Sequence, residues 1–267
     1  MADDKTPVMF VHGMWLHPTS WQLWAERFAA AGYEPVAAAW PGVADTVAAT
    51  RANPDAQAGN GLDEIADHLT QFAATLHSKP ILIGHSVGGF LVERLLGDDV
   101  GRAAIAISPA QIKGVKAVGL GQAKSLFSIL SHPGNRHKAV SLVPEQFKAS
   151  FANALSQQES DELYEKWTTP SPARTLFQLA LSAVEPHSPA AVKTANEGRG
   201  PLLLMAAKQD RTVDQVLVHS AFKQYRKSSA VTELIDYDDR GHSLTVDSGA
   251  TKLIDDSLAW LEKHHLH

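Results

Sequence analysis

The sequence predicts a doubly wound α/β fold: a mostly parallel six-stranded sheet carrying an inserted helical cap. Three observations predict it. Short β-leaning runs recur at 8–11, 36–40, 81–83, Ala103–Ile107, 202–206 and 231–235, all but the last continuously apolar, and apolar runs without alternation are the mark of strands buried on both faces. Stretches of helical period separate most of these runs, and strands that alternate with helices pair in parallel through right-handed crossovers. Residues 109–200 interrupt the alternation with several helix signatures and no convincing strand.

Taken in order, the run 8–11 leads into a helix expected over 19–31. There Trp21, Trp24, Ala25 and Phe28 fall at i, i+3, i+4 and i+7. Gly32 ends that helix as a residue free to take a positive φ, and Pro41-Gly42 closes the run 36–40. Residues 43–61, rich in Ala, Asn, Gly and Pro, read as the one long loop, with a short helix near 46–51. Ile65, Leu69, Phe72 and Leu76 repeat at helical spacing before 81–83, and 90–96 is helical after it. The last two runs lead into helices over 213–225 and 250–263.

Within 109–200, Pro144 stands where a first helical position belongs, and Phe147, Phe151 and Leu155 then repeat every four residues. Ser156 and Glu159 have capping-box spacing in front of Leu163, Tyr164 and Trp167. Ser171-Pro172 is expected to open a helix through Leu176, Leu179 and Ala183. Strands lie on both sides of this segment, so it reads as a lid over one edge of the sheet. The core is then 1–108 together with 201–267, and the cap is 109–200.

Composition narrows the function classes. The chain has 267 residues, 44% of them hydrophobic and 20% charged, enough to bury about 75% of its unfolded surface. A net charge of −5, with 24 basic residues and no basic block, excludes nucleic acid as an expected partner. With no cysteine there is neither a disulfide nor a thiolate metal site, which suits a reducing compartment. The run 8–11 behind Asp3 and Asp4 is shorter than the ~7–15 residues of a signal-peptide core. No stretch approaches the ~20 apolar residues of a membrane span. A cytoplasmic protein with no membrane partner is expected.

The residues that carry chemistry begin with Gly84-His85-Ser86-Val87-Gly88. This G-x-S-x-G pattern directly follows a strand and opens a helix, the context in which a serine is held on a strained turn with its hydroxyl exposed. Glycine is needed at both flanks because strand and helix backbones crowd the turn. The bland alternative is a glycine turn with Ser86 as a helix N-cap. His12-Gly13-Met14 follows the first strand, where the Met14 N–H, with the Val87 N–H, could hold the negative charge that develops on a carbonyl oxygen in acyl transfer. The His12 side chain itself reads as structural, bonded to backbone.

A serine hydroxyl needs a base with a pKa near neutrality, and there are 13 histidines. His242, in Gly241-His242-Ser243, lies between the last strand and the last helix, at the same sheet edge as Ser86. His264, His265 and His267 form a solvated tail. Asp210, just past the run 202–206, is the carboxylate expected to orient His242; Asp214, Asp238 and Asp239 compete, with Asp214 better read as a helix cap.

On Val11-His12-Gly13, Gly84-His85-Ser86-Val87-Gly88-Gly89, Asp210 and Gly241-His242-Ser243, in that order, the chain resembles the α/β-hydrolase superfamily, in particular its capped, cofactor-free serine hydrolases. The resemblance implies Ser86 as nucleophile, His242 as general base and then acid, Asp210 as its orienter, and Met14 and Val87 as oxyanion donors. It spans most of 7–261 outside the lid. Only Met1 to Pro7 precede the first strand, whereas the fuller family sheet begins with two more strands, so a shortened sheet is expected.

The expected function is hydrolysis of a carboxylic ester or lactone of a small to medium apolar substrate through an acyl-enzyme on Ser86. Trp15, His85, Phe127, Phe147, Phe151 and Trp167 are the expected pocket lining, against the alternative that the lid aromatics pack among themselves. The same triad serves C–C bond hydrolysis, hydroxynitrile cleavage or cofactor-free oxygenation on resembling scaffolds, and a non-catalytic small-molecule-binding homologue is a further alternative. No nucleotide cofactor is expected, since neither G-x-G-x-x-G nor a lysine-ended glycine loop occurs. No metal is expected either: His132 and His137 lack a nearby acid and read as a surface loop.

Overall fold

The computed structural model describes residues 5–115 and 128–267. Six strands form one sheet: β1 (Pro7–Val11), β2 (Glu34–Ala38), β3 (Ile81–His85), β4 (Ala103–Ile107), β7 (Leu202–Ala207) and β8 (Thr232–Tyr237). Their order is β2-β1-β3-β4-β7-β8, and every neighbouring pair is parallel. The central strands β1, β3, β4 and β7 are buried at every residue. That is why their sequences are apolar without alternation.

Alternate residues of each strand feed two different cores. Val8 and Phe10 pack with Trp24 and Phe28 of α1 (Gln22–Ala30) and with Leu253, Ile254 and Leu261 of α8 (Ala250–Lys263). Met9 and Val11 face the other core, with Ile65 and Leu69 of α3 (Leu62–Ala73), Phe90 and Leu91 of α4 (Val87–Gly97) and Leu217 of α7 (Gln215–Gln224). The sheet is thus covered on both sides. Its strand order reverses between β1 and β3, and in open parallel sheets the crevice at such a reversal lies beyond the carboxyl ends of the strands.

The long loop is more ordered than its composition suggests. It holds α2 (Val47–Ala52), capped by the Thr46 hydroxyl, and a 3₁₀ turn at Pro54–Gln57. The second strand lies two residues earlier than expected, which leaves Trp40 free to stack on His12 at 4.7 Å. The helix expected over 19–31 starts as a 3₁₀ turn, Pro18–Trp21, before α1.

The segment between β4 and β7 departs most from expectation. A two-residue strand β5 (Ala139–Val140) pairs antiparallel with β6 (Ser171–Pro172), where a helix start was expected and no strand was foreseen. The cause is tertiary: the Ser171 hydroxyl accepts the Trp15 N–H at 2.7 Å, and helix α6 (Arg174–Ala180) begins only after it, ending before Ala183. Pro144 does open a turn, Pro144–Gln146, but it runs into a π turn, Phe147–Phe151, and Leu155 lies outside both. Helix α5 (Gln157–Trp167) is capped by Ser156 as expected. The capping box is only half made, because the Glu159 carboxylate accepts the Ser248 N–H instead. Among the described residues no helix is long and apolar enough to cross a membrane.

Candidate active site

Ser86 sits between β3 and α4 with φ +57° and ψ −121°, a conformation that costs a non-glycine residue about 1–3 kcal/mol. Crowding accounts for the glycines around it. A Cβ on Gly84 would stand 2.2 Å from the Gly88 carbonyl oxygen, and one on Gly88 would stand 2.3 Å from that of Val11. The Ser86 N–H donates to Ile107 O, and Ser86 O accepts from Phe90 and Ala110, so the turn is tied into β4 and α4. Trp15, four residues past β1, and Ser108, directly after β4, also have positive φ. Three strained residues therefore gather at one sheet edge.

The turn after β1 presses against this elbow. A Cβ on Gly13 would lie 2.9 Å from Ser86 Cβ and 2.9 Å from His85 O, so only glycine permits the approach. Among the described residues neither the Met14 nor the Val87 N–H donates a hydrogen bond. Beside them, His12 Nδ1 donates to Gly13 O at 2.9 Å and Nε2 accepts from the Trp40 N–H at 3.3 Å, which defines a neutral tautomer. Burial lowers its pKa to about 4. The side chain is structural, as its sequence context suggests.

Asp210 and His242 come together in the loops after β7 and β8. Asp210 Oδ2 accepts from His242 Nδ1 at 2.6 Å, while Oδ1 accepts the N–H groups of Thr212 and Val213, both at 2.7 Å. Both side chains are buried. His242 Nε2 is buried without a hydrogen-bond partner among the described residues. Ser86 and His242 are not hydrogen-bonded to each other, although the imidazole of His85, next to Ser86, lies 4.6 Å from that of His242. Catalytic hydrogen bonds are often long without substrate and tighten when it binds. Asp214 caps α7 by accepting the Val216 N–H, and Asp238 pairs with Lys208.

Of the other anticipated lining residues, His85 is fully buried, with both ring nitrogens unpartnered among the described residues. Its pKa is held well below the usual imidazole range, by burial first and by the facing His242 second. Trp15 donates from Nε1 to Val140 O at 3.1 Å, anchoring β5. Phe147 and Phe151 stack at 4.7 Å, and Phe151 meets His242 edge-to-face at 5.0 Å. Trp167 lines an outer cleft with Leu23, Glu26, Leu163, Thr245 and Val246. Phe127 lies outside the described residues.

Sequence reasoning missed the clamp behind His242. Asp247 pairs with Arg240, accepts the Ser243 hydroxyl at 2.8 Å and accepts the Gly249 N–H at 3.0 Å. The four-residue spacing of Ser243 and Asp247 was the available signal.

The alpha/beta hydrolase family model matches residues 8–255. Solved structures with the same fold include a methylesterase, MES16, from Arabidopsis, 19% identical, with a TM-score of 0.64, covering 96% of this chain and 99% of its own. A monoacylglycerol lipase from Paleococcus ferrophilus is 18% identical, with a TM-score of 0.65 over 97% and 96%. An extracellular alpha/beta-hydrolase from a Paenibacillus species, described as sharing structural and functional homology with Tobacco Salicylic Acid Binding Protein 2, is 15% identical, with a TM-score of 0.70 over 95% and 98%. No curated protein matches the sequence.

Proposed function

This chain belongs to the alpha/beta hydrolase family, and we propose that it is a serine hydrolase that cleaves a carboxylic ester or lactone of a small, largely apolar molecule. The observation that carries the reading is the buried Asp210–His242 hydrogen bond, which leaves Nε2 as the unpaired nitrogen at the edge where the Ser86 elbow stands. A carboxylate on Nδ1 keeps the proton there and leaves Nε2 as the basic site.

In this mechanism Ser86 Oγ bonds to the ester carbonyl carbon as its proton passes to His242 Nε2. The resulting oxyanion accepts from the Met14 and Val87 N–H groups, each such donor contributing about 2.7–4 kcal/mol in a dry site. The C–O bond to the alcohol then breaks, and His242 returns the proton to that oxygen. Water, deprotonated by His242, attacks the acyl-enzyme, and collapse of the second oxyanion releases the acid and restores Ser86. No cofactor takes part. The described part of 109–200 serves as the cap over this edge. A chain without cysteine is compatible with a cytoplasmic place of work.

The test pairs labelling with turnover. A fluorophosphonate is expected to modify Ser86 at neutral pH, and Ser86→Ala is expected to abolish p-nitrophenyl acetate hydrolysis with an unchanged Tm. Hydrolysis that survives the substitution overturns the reading. A series of p-nitrophenyl esters of rising chain length beside lactones then reads out the substrate class.

A further inference from the structure

The segment after β5 is joined to the acid–base pair more closely than a hinged lid requires. Residues Phe147–Phe151 form a single π turn, a rare geometry that recurs at functional sites. Its last residue, Phe151, is buried and meets the His242 imidazole edge-to-face, with 5.0 Å between ring centroids at 88°. It meets the His85 ring at 5.8 Å and 85°. Phe147 stacks behind it at 17°, and Tyr164 of α5 packs against Phe147 in turn. Phe151 thus cannot leave the imidazole without displacing the rings that back it.

The π turn and the residues that follow it are joined to both loops that carry the pair. Ser150 O accepts from the Thr212 hydroxyl at 3.1 Å, and the Thr212 N–H is one of the two that hold Asp210. Asn153 Nδ2 donates to Gln209 O, next to Asp210, at 2.8 Å. The Ala154 methyl lies against Gly241, where a Cβ would come within 3.1 Å of it. The Glu159 carboxylate accepts the Ser248 N–H at 2.8 Å. The first three touch residues within two positions of Asp210 or His242, and the fourth ties α5 to the loop that carries His242.

The 2.6 Å bond to Asp210 fixes one nitrogen of His242 but leaves the ring free to pivot about that bond. Packing from the sides is what stops the pivot. We propose that Phe151, set by the π turn, is a positioning residue for His242: it holds the tilt of the imidazole in which Nε2 serves Ser86. A misplacement of about 1 Å at a reacting group costs on the order of 10²-fold in rate, so the effect falls on kcat.

The kinetic part of this inference rests on the ester-hydrolase reading; a spectroscopic part does not. With p-nitrophenyl acetate, whose acyl group is too short to need the cap aromatics, Phe151→Ala is expected to lower kcat by about 10–100-fold with little change in KM. Phe151→Leu, which keeps some of the bulk, recovers part of the loss. Independently, the proton shared by His242 and Asp210 is expected to give a far-downfield NMR resonance in the unaltered protein, assigned by its loss in His242→Gln. That resonance broadens away in Phe151→Ala. An unchanged kcat for the acetate, with KM rising only as acyl chains lengthen, makes Phe151 a pocket wall and overturns the proposal. So does a downfield proton that persists unaltered in Phe151→Ala, even if the chain proves to hydrolyse no ester. Should Phe151→Ala fail to fold, Thr212→Val keeps the side-chain shape and the N–H to Asp210 while removing the bond to Ser150 O, and carries the same two readouts.

Discussion

Asp210 divides its two carboxylate oxygens: Oδ2 serves His242 Nδ1 at 2.6 Å, and Oδ1 is claimed by the N–H groups of Thr212 and Val213 at 2.7 Å each. This division makes Asp210→Asn a sharp test. Asparagine has one carbonyl oxygen, and two backbone donors demand it, so its NH₂ must face His242. The imidazole then has to accept at Nδ1 and carry its proton on Nε2, where a base is needed. A loss of about 10⁴-fold in kcat is expected, the scale known for this substitution in a serine triad, with Tm nearly unchanged. Activity within tenfold of the unaltered protein would show that Asp210 does not set the tautomer.

The glycines of the elbow are expected to be costly to replace, and a glycine elsewhere is not. Gly88→Ala drives a methyl to 2.3 Å from Val11 O, against backbone that cannot yield cheaply. The expected loss is ~3 kcal/mol, or about 6–12 °C in Tm at this chain size. Gly134 has nothing within 4 Å of an added Cβ and no positive φ, so Gly134→Ala is expected to leave Tm within about 2 °C. Thermal melts of the two variants side by side decide the matter.

Asp247→Ala removes the inner partner of a pair whose acid is almost wholly buried, leaving Arg240 without its counter-charge. It also frees the hydroxyl of Ser243, next to His242, and the Gly249 N–H at the start of α8. A loss of about 3–5 kcal/mol in chemical denaturation is expected, together with a fall in kcat, because the loop so loosened carries the imidazole.

Buried histidines and a buried glutamate are expected to give stability opposite dependences on pH. On the acid side, His12, with its pKa lowered to about 4, and His85, lowered further below its ordinary range, remain neutral in the folded protein. Unfolded, both take up protons below pH ~6.5. The unfolded state binds more protons in that window, so stability falls as pH drops from about 6.5 toward 4. Calorimetry at pH 5 in buffers of different ionisation enthalpy is expected to show proton uptake on unfolding, smaller by about one proton in His12→Gln.

Glu93 acts in the opposite sense between pH ~4.5 and 8, since burial raises its pKa to about 8. Its carboxyl accepts the Tyr225 hydroxyl at 2.6 Å, with Arg199 beyond the Tyr225 ring. Here the folded state retains a proton that the unfolded chain loses above pH ~4.5, so stability falls as pH rises through that interval and levels off above 8. Glu93→Gln keeps the acceptor without the ionisation. Its Tm is expected to exceed that of the unaltered protein at pH 9 and to match it near pH 4.5.

Much of the sheet and of the candidate site was legible locally. The strands of 103–107 and the helix of 250–263 match the sequence reading residue for residue, since a buried strand must be apolar throughout and an amphipathic helix must repeat near 3.6. The elbow was legible because steric crowding at Gly84 and Gly88 admits only glycine. The segment 144–172 was misread where distant partners intervened. Phe147, Phe151 and Leu155 have helical spacing, yet the Thr212 hydroxyl on Ser150 O and the rings around His242 draw a π turn from it. Ser171 reads as a helix start until the Trp15 N–H claims its hydroxyl.

Local pattern by itself therefore determined the parallel layered fold, the strained turn at Ser86 and the order in which Ser86, Asp210 and His242 follow one another. Each of these depends on the period or the size of neighbouring side chains. Tertiary structure alone decided that Asp210, rather than Asp214 or Asp238, reaches His242, that the Asp247–Arg240 clamp stands behind the loop, and that a π turn from between β5 and β6 packs against the imidazole. Those contacts join residues far apart in the chain, and their partners are chosen by strand register and close packing, neither of which any short window of sequence contains.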